Sequence, residues 1–246
     1  MLPAQVFAAA MWTRPYSWRA NFISDLGVTA CATFDAGTRV ERYICSPAHL
    51  LANGSTIANG AFLALGAVLL WSAWPRRRAG RSAMGFLAAG GVLVMLVGLL
   101  PWDVQPAAHD AVALAQAAVQ WVGMILLLVA LRGHPGARTA SVLTAVSLAV
   151  SVAGFLLFID AVSGGPSLAL GLGITERLAF DTLTLWGAAL GLLLLMPQRS
   201  KGFPKEVEVV LRSPHKALGK DDADVPVRVH GGTDAGAPGP APHSGR

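Results

Sequence analysis

Five stretches of this chain are each about twenty residues long and almost wholly apolar, and nothing else in it constrains the fold as strongly. They cover residues 47–74, 82–100, 109–131, 139–160 and 176–196. A hydrocarbon core about 30 Å thick is crossed by about 20 apolar residues in an α-helix. A helix also satisfies its own backbone hydrogen bonds in lipid, where water cannot. Composition agrees: 54% of the chain is hydrophobic and 13% is charged, against about 25% charge in soluble domains. That inventory cannot build a water-soluble surface. It excludes a soluble globular enzyme and, outside the tail, a disordered chain.

The breaks between stretches carry turn-forming residues: Pro75 and Gly80, Pro101 and Pro106, Gly133 and Pro135, then Gly164, Gly165 and Pro166. Arginine sets the expected direction. Arg76, Arg77, Arg78 and Arg81 follow the first stretch, Arg132 and Arg138 follow the third, and Arg199, Lys201 and Lys205 follow the fifth. The intervening segments 101–108 and 161–175 hold no Lys or Arg. This alternation predicts that the arginine loops and the C-terminus are cytoplasmic, in a multi-pass protein of the cell membrane. The loop 13–46 then lies outside despite Arg14, Arg19, Arg39 and Arg42, the one departure from the rule. The net charge of +5 and the pI near 9.8 follow from this topology. No basic helix or basic-aromatic face accompanies them, so nucleic acid is not an expected partner.

Residues 2–12 are apolar but too short to span, and they lack the basic region of a signal peptide. They read as the outer half of a first helix whose beginning lies upstream, or which enters only part of the membrane. Domain boundaries follow: a helical bundle over 1–198 with its outer loop at 13–46, then a tail over 199–246. The tail is rich in Pro, Gly, Asp, Lys and His. It cannot bury enough apolar area to offset its ordering entropy, so it is expected to be disordered and cytoplasmic. Its histidines, His215, His230 and His243, read as solvated side chains.

Cys31 and Cys45 are the only cysteines, and both fall in the outer loop. An even pair on the non-cytosolic side reads as a disulfide, with two free thiols as the alternative. By loop entropy such a bridge would contribute about 3 kcal/mol to ordering that loop.

Polar residues inside spans are costly and face the bundle interior. His49, Asn53, Thr56 and Gly60 share one helix face, as do His109, Gln116 and Gln120, with Asp110 beside them. Arg177, Asp181 and Thr184 share another, with Glu176 adjacent, and Arg177 can pair with Asp181. Under the expected orientation most of these sit at outer helix ends, together with Ser24 and Asp25 of the loop. One reading is that they only tie helix ends and loops together. The other is an outward-facing polar pocket formed by Ser24, Asp25, His49, Asn53, His109, Glu176, Arg177 and Asp181. It would bind a membrane lipid or a small ligand. His49, His109 and nearby carboxylates could also ligate a metal and activate water, as a hydrolase or lipid-modifying enzyme requires. No HxxxH, HExxH, CxxC or GxSxG pattern accompanies them, so no metal, cofactor or catalytic residue is assigned. The glycines Gly54, Gly60, Gly66, Gly85, Gly90, Gly91, Gly187 and Gly191 predict close helix approach. No inverted repeat or broken-helix pair points to a transporter.

Several landmarks together resemble one family. They are Tyr16-Ser17 followed by Asn21-Phe22-Ile23-Ser24-Asp25-Leu26-Gly27, then Cys45-Ser46-Pro47 with His49 and Asn53, then Pro101 and His109, then Gly173-Ile174-Thr175-Glu176-Arg177. The chain resembles the domain of unknown function 998 family of polytopic bacterial and archaeal membrane proteins over residues 6–196. The resemblance implies about six helices and supplies no activity. The expected fold is therefore an all-α, polytopic transmembrane helix bundle of about six helices with a truncated first one. The expected function is a membrane protein that binds a lipid or small ligand in an outward polar pocket, or assists a membrane-protein partner. The alternative is the membrane-embedded hydrolase.

Overall fold

The computed structural model describes residues 1–73, 78–134 and 136–196. The described residues form six α-helices in order: α1 (Leu2–Ala10), α2 (His49–Trp71), α3 (Arg78–Leu99), α4 (Pro106–Leu131), α5 (Arg138–Val162) and α6 (Leu172–Leu195). Helices α2 to α6 are long and apolar enough to cross a membrane, with mean hydropathy between 1.5 and 2.5 over their best windows. Their outer surface is correspondingly greasy: Leu50, Phe62 and Leu195 are each more than 70% exposed. In water such a surface would aggregate; in lipid it is solvated. The protein is a multi-pass membrane protein. The expected tail at 199–246 and the arginines Arg76 and Arg77 lie outside the described residues.

Several helices begin earlier than the apolar runs suggest. α3 starts at Arg78, α4 at Pro106 and α6 at Leu172. The first turns carry polar residues or proline, which hydropathy discounts but a helix tolerates at its end. Pro106 suits its place because its missing N–H falls where no intrahelical partner exists. Gly171, before α6, has φ +99°, and a Cβ there would lie 2.3 Å from the Arg19 carbonyl. Only glycine fits this position.

Neighbours in sequence pack together: α2 along α3, α3 along α4, and α5 along α6. Close approach at the α2–α3 seam rests on Gly60 and Gly91, where any Cβ would collide with backbone of the facing helix at 2.5–2.6 Å. Gly154 does the same between α5 and α6. A relay ties α4, α5 and α6: Trp121 donates to Ser151 Oγ at 2.9 Å, and Ser151 donates to the Ala179 carbonyl at 2.6 Å. The expectation of close approach fails at Gly54, Gly66, Gly187 and Gly191, where a Cβ would meet nothing within 4 Å. Small residues permit contact but do not impose it, and α2 and α6 stand apart along this stretch.

Two features depart from a purely helical plan. α1 is nine residues long, about 14 Å and less than half the hydrocarbon thickness. It packs on α2, with Ala8 fully buried against the loop. The loop 13–46 contains a hairpin of β1 (Ala32–Phe34) and β2 (Arg42–Ile44), antiparallel with Thr33 opposite Tyr43. Three-residue strands are too short to show an alternating pattern in sequence. Cys31 and Cys45 flank the open end of this hairpin and are bonded, with sulfurs 2.02 Å apart.

Candidate functional site

The loop 13–46 covers the bundle at the end where α2, α4 and α6 begin, called here the loop end. The segment Asn21–Gly27 is the centre of that cover. It turns through a short 3-10 helix at Ser24–Gly27, and nearly every residue of it has a fixed partner. Asp25, fully buried, accepts from Asn21 Nδ2 at 3.1 Å and from the Phe22 N–H at 3.0 Å. It also receives Arg42 on both oxygens, through Nε at 2.9–3.0 Å and Nη2 at 2.8 Å. Arg42 reaches on to Asp35 at 2.6 Å and lies over the Phe22 ring at 4.2 Å. The carboxylates outweigh the desolvation of Arg42 and hold its guanidinium above its ordinary pKa. The Gly27 carbonyl accepts from Asn53 of α2 at 2.9 Å, and the Leu26 carbonyl from Ser46 at 2.7 Å.

α6 is tied to the same segment. Glu176 accepts from the Ile23 N–H. The Arg177 guanidinium donates to the carbonyls of Gly173 at 2.9 Å, Asn21 at 3.1 Å and Trp18 at 3.3 Å, and also to the Tyr16 hydroxyl. It lies 4.7 Å above the Trp18 ring, a cation–π contact. Tyr16 in turn donates to the Phe22 carbonyl at 2.8 Å. Burial raises the Tyr16 phenol above its ordinary pKa against the pull of Arg177, so it stays a neutral donor. The expected pairing of Arg177 with Asp181 is weak. Nε and Oδ2 are 3.9 Å apart, too far for a hydrogen bond, and Arg177 Nε has no hydrogen-bond partner. Asp181 instead accepts from Gln5 of α1 at 2.8 Å.

A cavity of about 490 Å³ lies beneath this cover. α2, α3, α4 and α6 bound it, and Gln5 with Ile23, Ser24 and Gly27 close it at the loop end. Its polar lining extends from Ser24, His109 and Glu176 to Asn59 in α2, Gln120 in α4 and Thr184 in α6, near the middle of each helix. Beyond that depth the lining is apolar apart from the Trp186 indole: Ala67, Leu70, Leu190 and Leu194, with Gly66, Gly187 and Gly191 between them. Asn59 donates to Thr184 across the cavity at 3.4 Å, and Gln116 donates to Gln120 at 3.2 Å. The His109 Nδ1 lies 2.7 Å from the Leu100 carbonyl. A carbonyl only accepts, so Nδ1 carries the proton, and Nε2 is left for other contacts.

Seven of the eight candidate residues fall into two groups, and His49 stands apart from both. Ser24, Asn53, His109 and Glu176 line the cavity. Asp25 of the cover and Arg177 and Asp181 of α6 are taken up instead by Arg42, by backbone carbonyls with Tyr16, and by Gln5 of α1. His49 stands at the start of α2, its Nδ1 3.0 Å from the Ser46 carbonyl. Asn21 links the Arg177 and Asp25 networks, bonding one through its carbonyl and the other through its side chain. Among the described residues, no three His, Cys, Asp or Glu side chains group as a metal site.

Sequence reasoning overlooked Arg42 and Gln5. Arg42 was legible only as an arginine on the unexpected side; its role is a buried partner for Asp25. Arg19 and Arg39 are similarly occupied, by the carbonyls of Ala169 and Gly164. Gln5 is the one hydrogen-bonding side chain in the apolar run from Leu2 to Trp12 apart from the indole, which was a usable signal.

No curated protein and no solved structure matches this chain. One family model does, described as a protein of unknown function (DUF998), over residues 1–193. That match takes in the Asn21–Gly27 cover, all six helices but the last residues of α6, and the Glu176–Arg177 pair. The chain belongs to the DUF998 family.

Proposed function

We propose that this protein binds a membrane lipid or a lipid-like small molecule in the cavity under the loop end. The observation that carries the reading is the gradient along the cavity wall. The hydrogen-bonding side chains of the wall, Glu176 among them, lie in the half beneath the cover, interspersed with apolar ones, and the other half is lined by aliphatic side chains, Trp186 and bare glycine backbone. Ligand sites are mostly apolar with a few convergent polar groups, and this gradient matches an amphiphile. The buried Asp25–Arg42 pair and the Arg177 contacts serve the site indirectly, by holding the cover in place.

The wall itself supplies the test. Gly66 and Gly191 line the cavity and have open space where a side chain would stand. The variants Gly66→Leu and Gly191→Leu are expected to fold normally and to co-purify with less bound lipid than the parent. Equal lipid content in parent and variants, measured by mass spectrometry after mild solubilisation, would contradict the reading.

The loop end is proposed to face the cell exterior and the C-terminus the cytoplasm, in the plasma membrane. Two independent features support this. Arg78, Arg81, Arg132 and Arg138 gather at the opposite end, as expected of a cytoplasmic face. The Cys31–Cys45 bond is at the loop end, as expected of an oxidising compartment. A cysteine introduced at Ser163 should react with an impermeant maleimide in intact cells, and one at Gly133 should not. The reverse pattern would invert the protein.

A further inference from the structure

We propose that the cavity takes an uncharged single-chain amphiphile, with a hydroxyl or amide head group among the polar side chains, and rejects lipids that carry a phosphate. The inference rests on the lipid-binding reading above and narrows it to a chemical class. The first support is the charge of the wall. No Lys or Arg is among the described lining residues, and the one acidic side chain there is Glu176. Two arginines at the loop end, Arg42 and Arg177, are largely taken up, with only Arg177 Nε left unbonded. Arg42 serves Asp25 and Asp35, and Arg177 serves three carbonyls and Tyr16. A phosphate entering here would lose its hydration, find no Lys or Arg side chain on the wall and stand near a carboxyl group. An anion buried without a partner is strongly disfavoured.

The second support is a set of neutral groups with spare bonding capacity. Gln5 borders the cavity and is 3% exposed; its Nε2 serves Asp181, while its Oε1 has no hydrogen-bond partner. Gln120 is 2% exposed. It accepts from Gln116 and makes no other side-chain hydrogen bond among the described residues. Buried polar groups in native proteins are nearly always satisfied, so a pair like this calls for a partner. A hydroxyl both donates and accepts, so it can serve the Gln5 carbonyl and the Gln120 amide alike. The third support is size. A volume of about 490 Å³ falls within the range of about 300–1,000 Å³ of sites for single small ligands. One chain along Leu183, Leu190 and Leu194 suits it better than two.

Two probes with the same chain separate the classes: 1-monooleoylglycerol, and 1-oleoyl-lysophosphatidic acid, which adds only the phosphate. Native mass spectrometry of the delipidated full chain in detergent would count each bound probe. The expected result is one tightly held monooleoylglycerol, with at least tenfold preference over the phosphate form. Gly66→Leu and Gly191→Leu should abolish that binding, and Gln120→Leu should weaken it about tenfold. Gly54→Leu is the control. Gly54 also has open space around it but does not line the cavity, so this variant should bind like the parent. If the phosphate probe binds as well or better, and the two cavity variants displace it, the proposed class is wrong and the lipid-binding reading stands. If neither probe binds in a way that Gly66→Leu and Gly191→Leu abolish, that reading falls too.

Discussion

Asp25 shows at the scale of one residue how a charge survives at the end of a membrane bundle. It is fully buried, yet its two oxygens accept five hydrogen bonds from four donors on Asn21, Phe22 and Arg42. Breaking such a pair from one side leaves a buried carboxylate without its counter-charge, a loss of about 3–5 kcal/mol. Arg42→Met is therefore expected to destabilise the protein on that scale, seen as a lower unfolding midpoint in detergent. Adding Asp25→Asn should recover part of the loss, because it removes the stranded charge. An Arg42→Met protein as stable as the parent would show that the pair holds nothing. Asp25 was legible in the sequence as part of a recognisable run. Arg42 was not, because seventeen residues and a hairpin separate it from its partner, and no local period links them.

The elements differ in how openly the sequence declares them. Five spanning helices follow from hydropathy, since crossing lipid demands a long apolar run. The hairpin does not, because its strands are only three residues long and show no alternating pattern. Glycine was the least legible signal. Gly91 and Gly187 look alike in sequence, each within a small-residue motif of an apolar helix. In the structure a Cβ on Gly91 would stand 2.6 Å from backbone of α2, while one on Gly187 meets nothing. Gly91→Ala is thus expected to cost about 1–3 kcal/mol through overpacking. Gly187→Ala should be neutral or stabilise by up to about 1 kcal/mol, because alanine is the better helix former. Thermal unfolding of the two variants side by side checks the contrast. Similar losses for both would mean that α2 and α6 close the space between them.

At the scale of the whole molecule the candidate site was only half legible. Spacing along each helix identified polar faces at α2, α4 and α6, and parity placed their starts at one end. It could not separate residues that bond to the cover from those that face the space beneath it. That division depends on where the loop 13–46 folds back, which is a tertiary fact. Asp25 and Arg177 are bound into the cover and Asp181 to Gln5 of α1, while Gln116 and Gln120, noted only as part of a stripe, line the cavity. The apolar half of the cavity was not legible at all, because lipid-facing and cavity-facing leucines look the same in a sequence.

The central claim is that α2 and α6 hold apart a chamber that an amphiphile fills. A structure of the full chain purified from its native membrane into lipid nanodiscs tests this most directly. The account predicts one elongated non-protein density between α2 and α6, with its polar end against Gln5 and Gln120 and its tail along Leu190 and Leu194. Helices α2 and α6 in van der Waals contact through Gly66, Gly187 and Gly191, with no density between them, would contradict it.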